Sequence, residues 1–149
     1  MEWLKKLRGS VVGLDTAPLI YFIERYPIYL PLVRPFFQAV ELGEFQVVTS
    51  TLTLTEVLVH PYKYGNQTLA YLYSGILLHQ PNLKVLPVSV EIATKAAQLR
   101  AAYSLKTPDS IQLATAQMAG ATAFLTNDNH FAALPGMNIL CLDELLKVV

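Results

Sequence analysis

A single cysteine, Cys141, stands in 149 residues, so no internal disulfide can staple the chain. A reducing compartment, the cytoplasm, is the expected location. Charge is scarce and balanced: Asp, Glu, Lys and Arg make up 15% of the residues, eleven acids against eleven bases. A protein that coats nucleic acid through backbone electrostatics is usually strongly basic, so contact with a polyanion would need positive charge from elsewhere. No apolar run reaches the roughly 18 residues of a membrane helix, because Asp15, Pro18, Glu24 and Arg34 interrupt the candidates. The opening MEWLKKLRGS has basic residues but no apolar stretch ending in a small-residue cleavage site, so no signal peptide is expected. Neither GxxxxGK(S/T) nor GxGxxG occurs, which argues against nucleoside triphosphates and dinucleotides. The absence of CxxC and HExxH argues against zinc, and that of GxSxG against a serine hydrolase. Repeats, low-complexity tracts and long linkers are missing too.

What is present is apolar material, 53% of the chain, with a mean hydropathy of +0.38. That suffices for a buried core, and the length suits one domain over 1–149. The surplus suggests a buried sheet and a surface that meets another protein. Short apolar runs at 11–15, 45–50, 83–88, 121–126 and 137–142 read as strands. Between them lie helical segments at 16–25, 29–42, 51–60, 66–79, 90–103 and 107–120, with stop signals at Gly43, Pro61 and Gly120. Ser50 or Thr51, Ser89, Thr107 and Asp143 are the expected caps. Alternation of strands and helices predicts an α/β fold with a mainly parallel central sheet and helices on both faces.

The chemistry rests on a few carboxylates in apolar settings. Asp15 ends the first strand, Glu56 lies about a turn into the helix after the second, and Asp128 follows FLT in TNDNHF. Open parallel sheets bind ligands beyond the carboxyl ends of their strands, and these three fall near that edge. Asp109, in the first turn of TPDSIQLATAQMAG, follows no strand directly, so the rule does not place it. Each acid has an ordinary alternative: Asp109 can favour a helix dipole and Asp128 can serve a turn. If the four converge, their repulsion raises their pKa values and opposes folding. A hard divalent cation such as Mg2+ relieves that repulsion, activates water and clamps a phosphate. The ion then supplies the positive charge that the chain lacks.

The segments VVGLDTAPLIYFIE (11–24), STLTLTEVL (50–58), LKTPDSIQLATAQMAGATAFLTNDNHF (105–131) and MNILCLDEL (137–145) resemble the PIN domain. Within it they resemble the short VapC-like toxins of bacterial and archaeal toxin–antitoxin pairs. The resemblance implies a three-layer α/β/α sandwich and a Mg2+- or Mn2+-dependent ribonuclease acting on RNA. It also implies a cognate antitoxin and a homodimer. Asp15, Glu56, Asp109 and Asp128 match the family's acidic quartet, and Asp15 and Asp109 the pair taken as direct metal ligands. Thr126, Asn127 and Thr16 match supporting positions. Ala17 departs from the pattern, where relatives often carry a small polar residue.

Other residues allow competing readings. Arg100 and Lys106 bracket the approach to Asp109 and can hold an RNA backbone or simply be solvated helix-end cations. His60, four residues after Glu56, is expected to meet helix-end carbonyls, and His79 and His130 to be solvated. Lys5, Lys6 and Arg8 are expected to form an exposed face. Tyr62, Tyr64, Tyr71 and Tyr73 can stack on bases, but their spacing favours core or interface packing. Cys141 reads as a buried, inert thiol. Two further functions compete with the nuclease. One is a non-cleaving PIN-like module that binds RNA or protein. The other is phosphotransfer through Asp15, for which the second acid two residues on, or an acidic pair upstream, is missing.

Overall fold

The computed structural model describes residues 1–131 and 134–149. Five strands, β1 (Val11–Leu14), β2 (Gln46–Ser50), β3 (Leu83–Leu86), β4 (Ala123–Thr126) and β5 (Asn138–Cys141), form one sheet in the order β3-β2-β1-β4-β5. Every neighbouring pair is parallel. The strands are short and mostly apolar because a parallel sheet is covered on both faces. Side chains alternate between the two sides. Val12, Leu14, Ala123 and Leu125 belong to one core, and Phe124 to the other.

The first core is closed by α1 (Glu2–Lys5), α2 (Thr16–Ile23), α3 (Leu30–Glu41), α4 (Thr51–Lys63), α5 (Gln67–His79) and α8 (Leu142–Leu146). The second is closed by α6 (Val90–Tyr103) and α7 (Thr107–Met118). The result is the expected α/β/α sandwich. After β3 the chain returns across the sheet to β4, so successive crossovers diverge on either side of β1. A cleft opens at the strands' carboxyl ends where the order reverses, between β1 and β4.

One close approach sets the depth of that cleft. α7 lies on β1 so tightly that a Cβ on Gly13 would stand 2.5 Å from the Ala116 Cβ and 2.7 Å from the Phe124 ring. The backbone there is ordinary, so glycine is needed for space alone. It lets the helix that carries Asp109 rest on the strand that delivers Asp15.

Several local expectations need correction. α4 does not stop at Pro61 but runs to Lys63. Pro61 lies in the last turn, where its missing N–H costs one bond, and the Tyr64 N–H still reaches the His60 carbonyl at 3.1 Å. Lys106, not Thr107, holds the N-cap position of α7, with Thr107 and Pro108 as its first two residues. Cys141 takes that position in α8, and Asp143 stands in the first turn. α1 was not foreseen; it exists because Trp3 stacks on Phe36 and buries there. Lys5, Lys6 and Arg8 are exposed, as expected. Ser50, Asn66 and Ser89 cap α4, α5 and α6 with their side chains. No helix among the described residues is long and apolar enough to cross a membrane.

Candidate active site

The cleft at the strand ends has a volume of about 660 Å³, and Asp15, Glu56, Asp109 and Asp128 all line it. Asp15 is the N-cap of α2, and its N–H extends the β1–β4 pairing by bonding the Leu125 carbonyl at 2.9 Å. Its Oδ1 accepts from the Thr16 N–H at 2.8 Å and its Oδ2 from the Thr126 hydroxyl at 2.6 Å. The carboxylate is thus aimed from two sides, by the start of α2 and the end of β4. Thr126 is fully buried, and its Oγ1 also accepts from the Asp128 N–H at 3.0 Å. One hydroxyl therefore couples two of the acids.

Thr16 turns the other way and donates to Glu56 Oε1 at 2.8 Å, fixing an otherwise exposed side chain of α4. Asp109 is the third residue of α7 and reaches the cleft because that helix crosses β1 at Gly13. Asp128 both lines the cleft and closes a turn: its Oδ1 accepts from the His130 N–H and faces the His130 ring, each at 2.8 Å. Asp128 thus serves a turn while lining the cleft.

The acids feel one another. Burial pushes the Asp15 carboxyl up to about 6; bonds from Thr126 and Thr16 oppose this, and the charges of Asp109 and Glu56 reinforce it. Burial also raises Asp109, with the Asp128 charge adding to it. Burial works upward on Asp128 as well, but the hydrogen bonds and charge of His130 outweigh it and hold that group low. Five carboxylates line the cleft, counting Asp143, against Lys106 and the His130 ring. Among the described residues no three Asp, Glu, His or Cys side chains form a cluster able to hold an ion. The acids share a cleft without building a closed cage. An open set of hard oxygens suits Mg2+ or Mn2+, which keep several waters and bind through one or two carboxylates plus a substrate phosphate.

The remaining expected residues divide. Lys106 lines the cleft, whereas Arg100 donates to the Leu105 carbonyl at 3.0 Å and ties down the loop leading into α7. Asn127 lines the cleft and acts as a strut, donating to the Tyr21 hydroxyl at 3.2 Å and accepting from the Asp143 N–H at 2.8 Å. Asp143, read from sequence only as a cap, also accepts from the Tyr29 hydroxyl at 2.7 Å. Ala17 is in the cleft wall and brings no polar side-chain atom. The His60 ring packs on Tyr64 instead of meeting carbonyls. Tyr73 is buried, but Tyr62, Tyr64 and Tyr71 are exposed and do not join the core. Cys141 is buried, its Sγ 3.7 Å from Asn127 Oδ1.

The PIN domain family's sequence profile matches residues 13–137. The chain belongs to the PIN domain family. PIN domains are nucleases, which places the cleft's chemistry at the coarse level of a hydrolase. Among solved structures, this PIN domain is similar to a chain of a toxin–antitoxin complex from Klebsiella pneumoniae. That match has 30% identity and a TM-score of 0.62, covering 86% of this chain and 95% of that one. It also shares its fold with a chain of DNA-bound VapBC from Salmonella typhimurium, at 21% identity and a TM-score of 0.67, covering 89% and 98%. FitAcB from Neisseria gonorrhoeae gives 16% identity and a TM-score of 0.62, covering 89% and 97%. No curated protein matches the sequence.

Thr126 gives a direct check on how Asp15 is tuned. A hydrogen bond to an ionised group contributes about 1.5–3 kcal/mol, or roughly one pH unit or more. Thr126→Val removes that bond to Asp15 with little change of shape. The pH at which Mn2+ affinity falls by half, followed by calorimetry, is expected to rise by about one unit. An unmoved profile would show that the hydroxyl does not support the charged carboxylate.

Proposed function

We propose that this PIN domain is a divalent-metal-dependent endoribonuclease that hydrolyses RNA phosphodiester bonds and is the toxin of a type II toxin–antitoxin pair. The observation that carries the reading is Asp15, fixed by Thr126 and Thr16 at the cleft floor and raised by burial beside Asp109 and Glu56. Partly buried carboxylates sharing a space are unfavourable when empty and useful when they hold a cation. Asp15 and Asp109 would hold the ion, with Glu56 and Asp128 at its margin. When bound, Mg2+ or Mn2+ supplies an activated water and a clamp on the phosphate. Thr16 keeps Glu56 turned into the cleft, where its carboxylate can take a proton from water. Lys106 offers a cation for a non-bridging phosphate oxygen, and Arg100 holds the loop that presents it.

The toxin–antitoxin complex that this chain resembles at 30% identity supports an antitoxin partner. Exposed Val59, Tyr62, Tyr64, Tyr71, Leu72 and Leu78 on α4, α5 and the turn between them support association, including a homodimer. Light scattering at micromolar concentration tests the dimer, and a monomer would remove it. A non-cleaving PIN-like module that binds RNA or protein is the second reading. The balanced charge and high apolarity of the chain favour it.

One assay separates the two. With Mn2+, wild type is expected to cut total or transfer RNA, chelation to stop it, and Asp109→Asn to slow it about a hundredfold or more, since each tenfold is ~1.4 kcal/mol of barrier. RNA binding without turnover, or full activity in Asp109→Asn, would contradict the nuclease.

A further inference from the structure

Gln112 lies one turn beyond Asp109 on α7 and borders the same cleft, yet it is only 2% exposed. Its amide is joined on both sides. Nε2 donates to Thr53 Oγ1 at 2.6 Å and has a longer 3.5 Å contact with Thr16 Oγ1. Oε1 accepts from the Ser50 hydroxyl at 2.9 Å. The network continues: Thr53 and Thr49 hydroxyls meet at 2.8 Å, and Thr49 donates to the Leu14 carbonyl at 2.9 Å. Thr49, Ser50 and Thr53 are all buried. One side chain of α7 is therefore tied to the beginnings of α2 and α4 and, through Thr49, to the end of β1.

Those elements carry the site's acids: Asp15 caps α2, Glu56 projects from α4 and Asp109 from α7. The amide donates to the threonines from its nitrogen and accepts from Ser50 on its oxygen. An aliphatic side chain there would leave buried hydroxyls unpaired, and a carboxylate would bring another negative charge beneath acids that already repel. The apolar contacts of α7 with β1 near Gly13 set how close the helix sits. They are non-directional, so they leave its rotation and slide less constrained than a hydrogen-bonded amide does.

We propose that Gln112 is a positioning residue that locks α7 in register with α2 and α4, so that Asp109 and Asp15 can grip one divalent cation together. This rests on the metal reading of the cleft. Gln112 need not touch the ion or the RNA. Partners that orient metal ligands typically contribute 10–100-fold to affinity.

The test is calorimetric titration of the metal-free protein with Mn2+, at a temperature where every variant is folded. Gln112→Met, similar in size, is expected to weaken Mn2+ binding about tenfold and to lower kcat for RNA with little change in KM. Thr53→Val, which removes the amide's closest partner, should weaken it in the same direction. The double variant should lose less than the sum, because both break one link. If Gln112→Met does not fold, Thr53→Val carries the test alone. Tyr73→Phe removes a partly buried hydrogen bond to Glu24, outside the cleft lining, and should lower stability without altering Mn2+ affinity. Folded Gln112→Met and Thr53→Val proteins that bind Mn2+ like wild type would overturn the inference and leave the metal reading intact. A wild type that binds no Mn2+ would overturn both.

Discussion

Asp15→Asn is expected to cut metal-dependent RNA cleavage by about three orders of magnitude or more, equivalent to ~4 kcal/mol of barrier, while the metal-free protein becomes no less stable at neutral pH. The two halves have one cause. In the native protein the Asp15 carboxyl is pushed up to about 6, against 3.8 for the free side chain. The folded state therefore binds this proton more tightly than the unfolded chain does. Stability from this group is fully present below pH 3.8 and is lost as pH rises through about 6. Above that, the ionised group opposes folding by up to about 3 kcal/mol, at 1.36 kcal/mol per pKa unit. Asp109, also raised, adds to the same slope, and Asp128, held low, works against it. Asparagine removes the Asp15 contribution and keeps an acceptor for the Thr16 N–H. Thermal unfolding between pH 4 and pH 8 without metal should show wild type weakening as pH rises and the variant weakening less. Added Mn2+ should raise the wild-type midpoint and leave the variant's nearly unmoved. A variant that is clearly less stable at pH 8, or one that still cleaves, would contradict this account.

Gly13→Ala should have the largest effect on folding. The new methyl would meet the Ala116 Cβ at 2.5 Å and the Phe124 ring at 2.7 Å, and neither can withdraw within a packed interior. Overpacking of this kind costs about 1–3 kcal/mol where neighbours can shift, and the upper end or more is expected here. Relief requires α7 to lift from β1, which also carries Asp109 away from Asp15, so Mn2+ affinity should fall along with stability. Gly75 is the matched control. It lies within α5, where an added methyl would meet nothing within 4 Å, and Gly75→Ala should add roughly 0.5–1 kcal/mol by helix propensity. Denaturant unfolding distinguishes the two. Equal, small effects would show that α7 rests on β1 more loosely than those distances require.

The strand-end rule placed Asp15, Glu56 and Asp128 because it depends only on where a residue follows its strand. Asp109 lay beyond its reach. α7 comes to the cleft through the contact of Gly13 with Ala116, two small residues far apart in the chain whose meeting no local pattern reveals. Gln112 went unnoticed for a related reason, since a glutamine within a helix ordinarily reads as solvated. Its signal was the flanking apolar Ile111, Leu113 and Ala114, which leave little room for that position to face water. Asp143 read as a cap because its neighbours Tyr29 and Asn127 come from distant segments. Pro61 misled because proline ends a helix only when the bonds after it also fail, and in α4 they persist. The three exposed tyrosines of α4, α5 and their connection have spacing that suits burial, and nothing among the described residues covers them.

Asp15 and Asp109, with Glu56 and Asp128 beside them, are expected to grip a cation as one site. Anomalous diffraction from crystals grown with Mn2+ tests it most directly. A manganese peak is expected in the cleft within coordination distance of both the Asp15 and Asp109 carboxylates. An empty cleft at saturating Mn2+, or a peak bound to other residues alone, would contradict it.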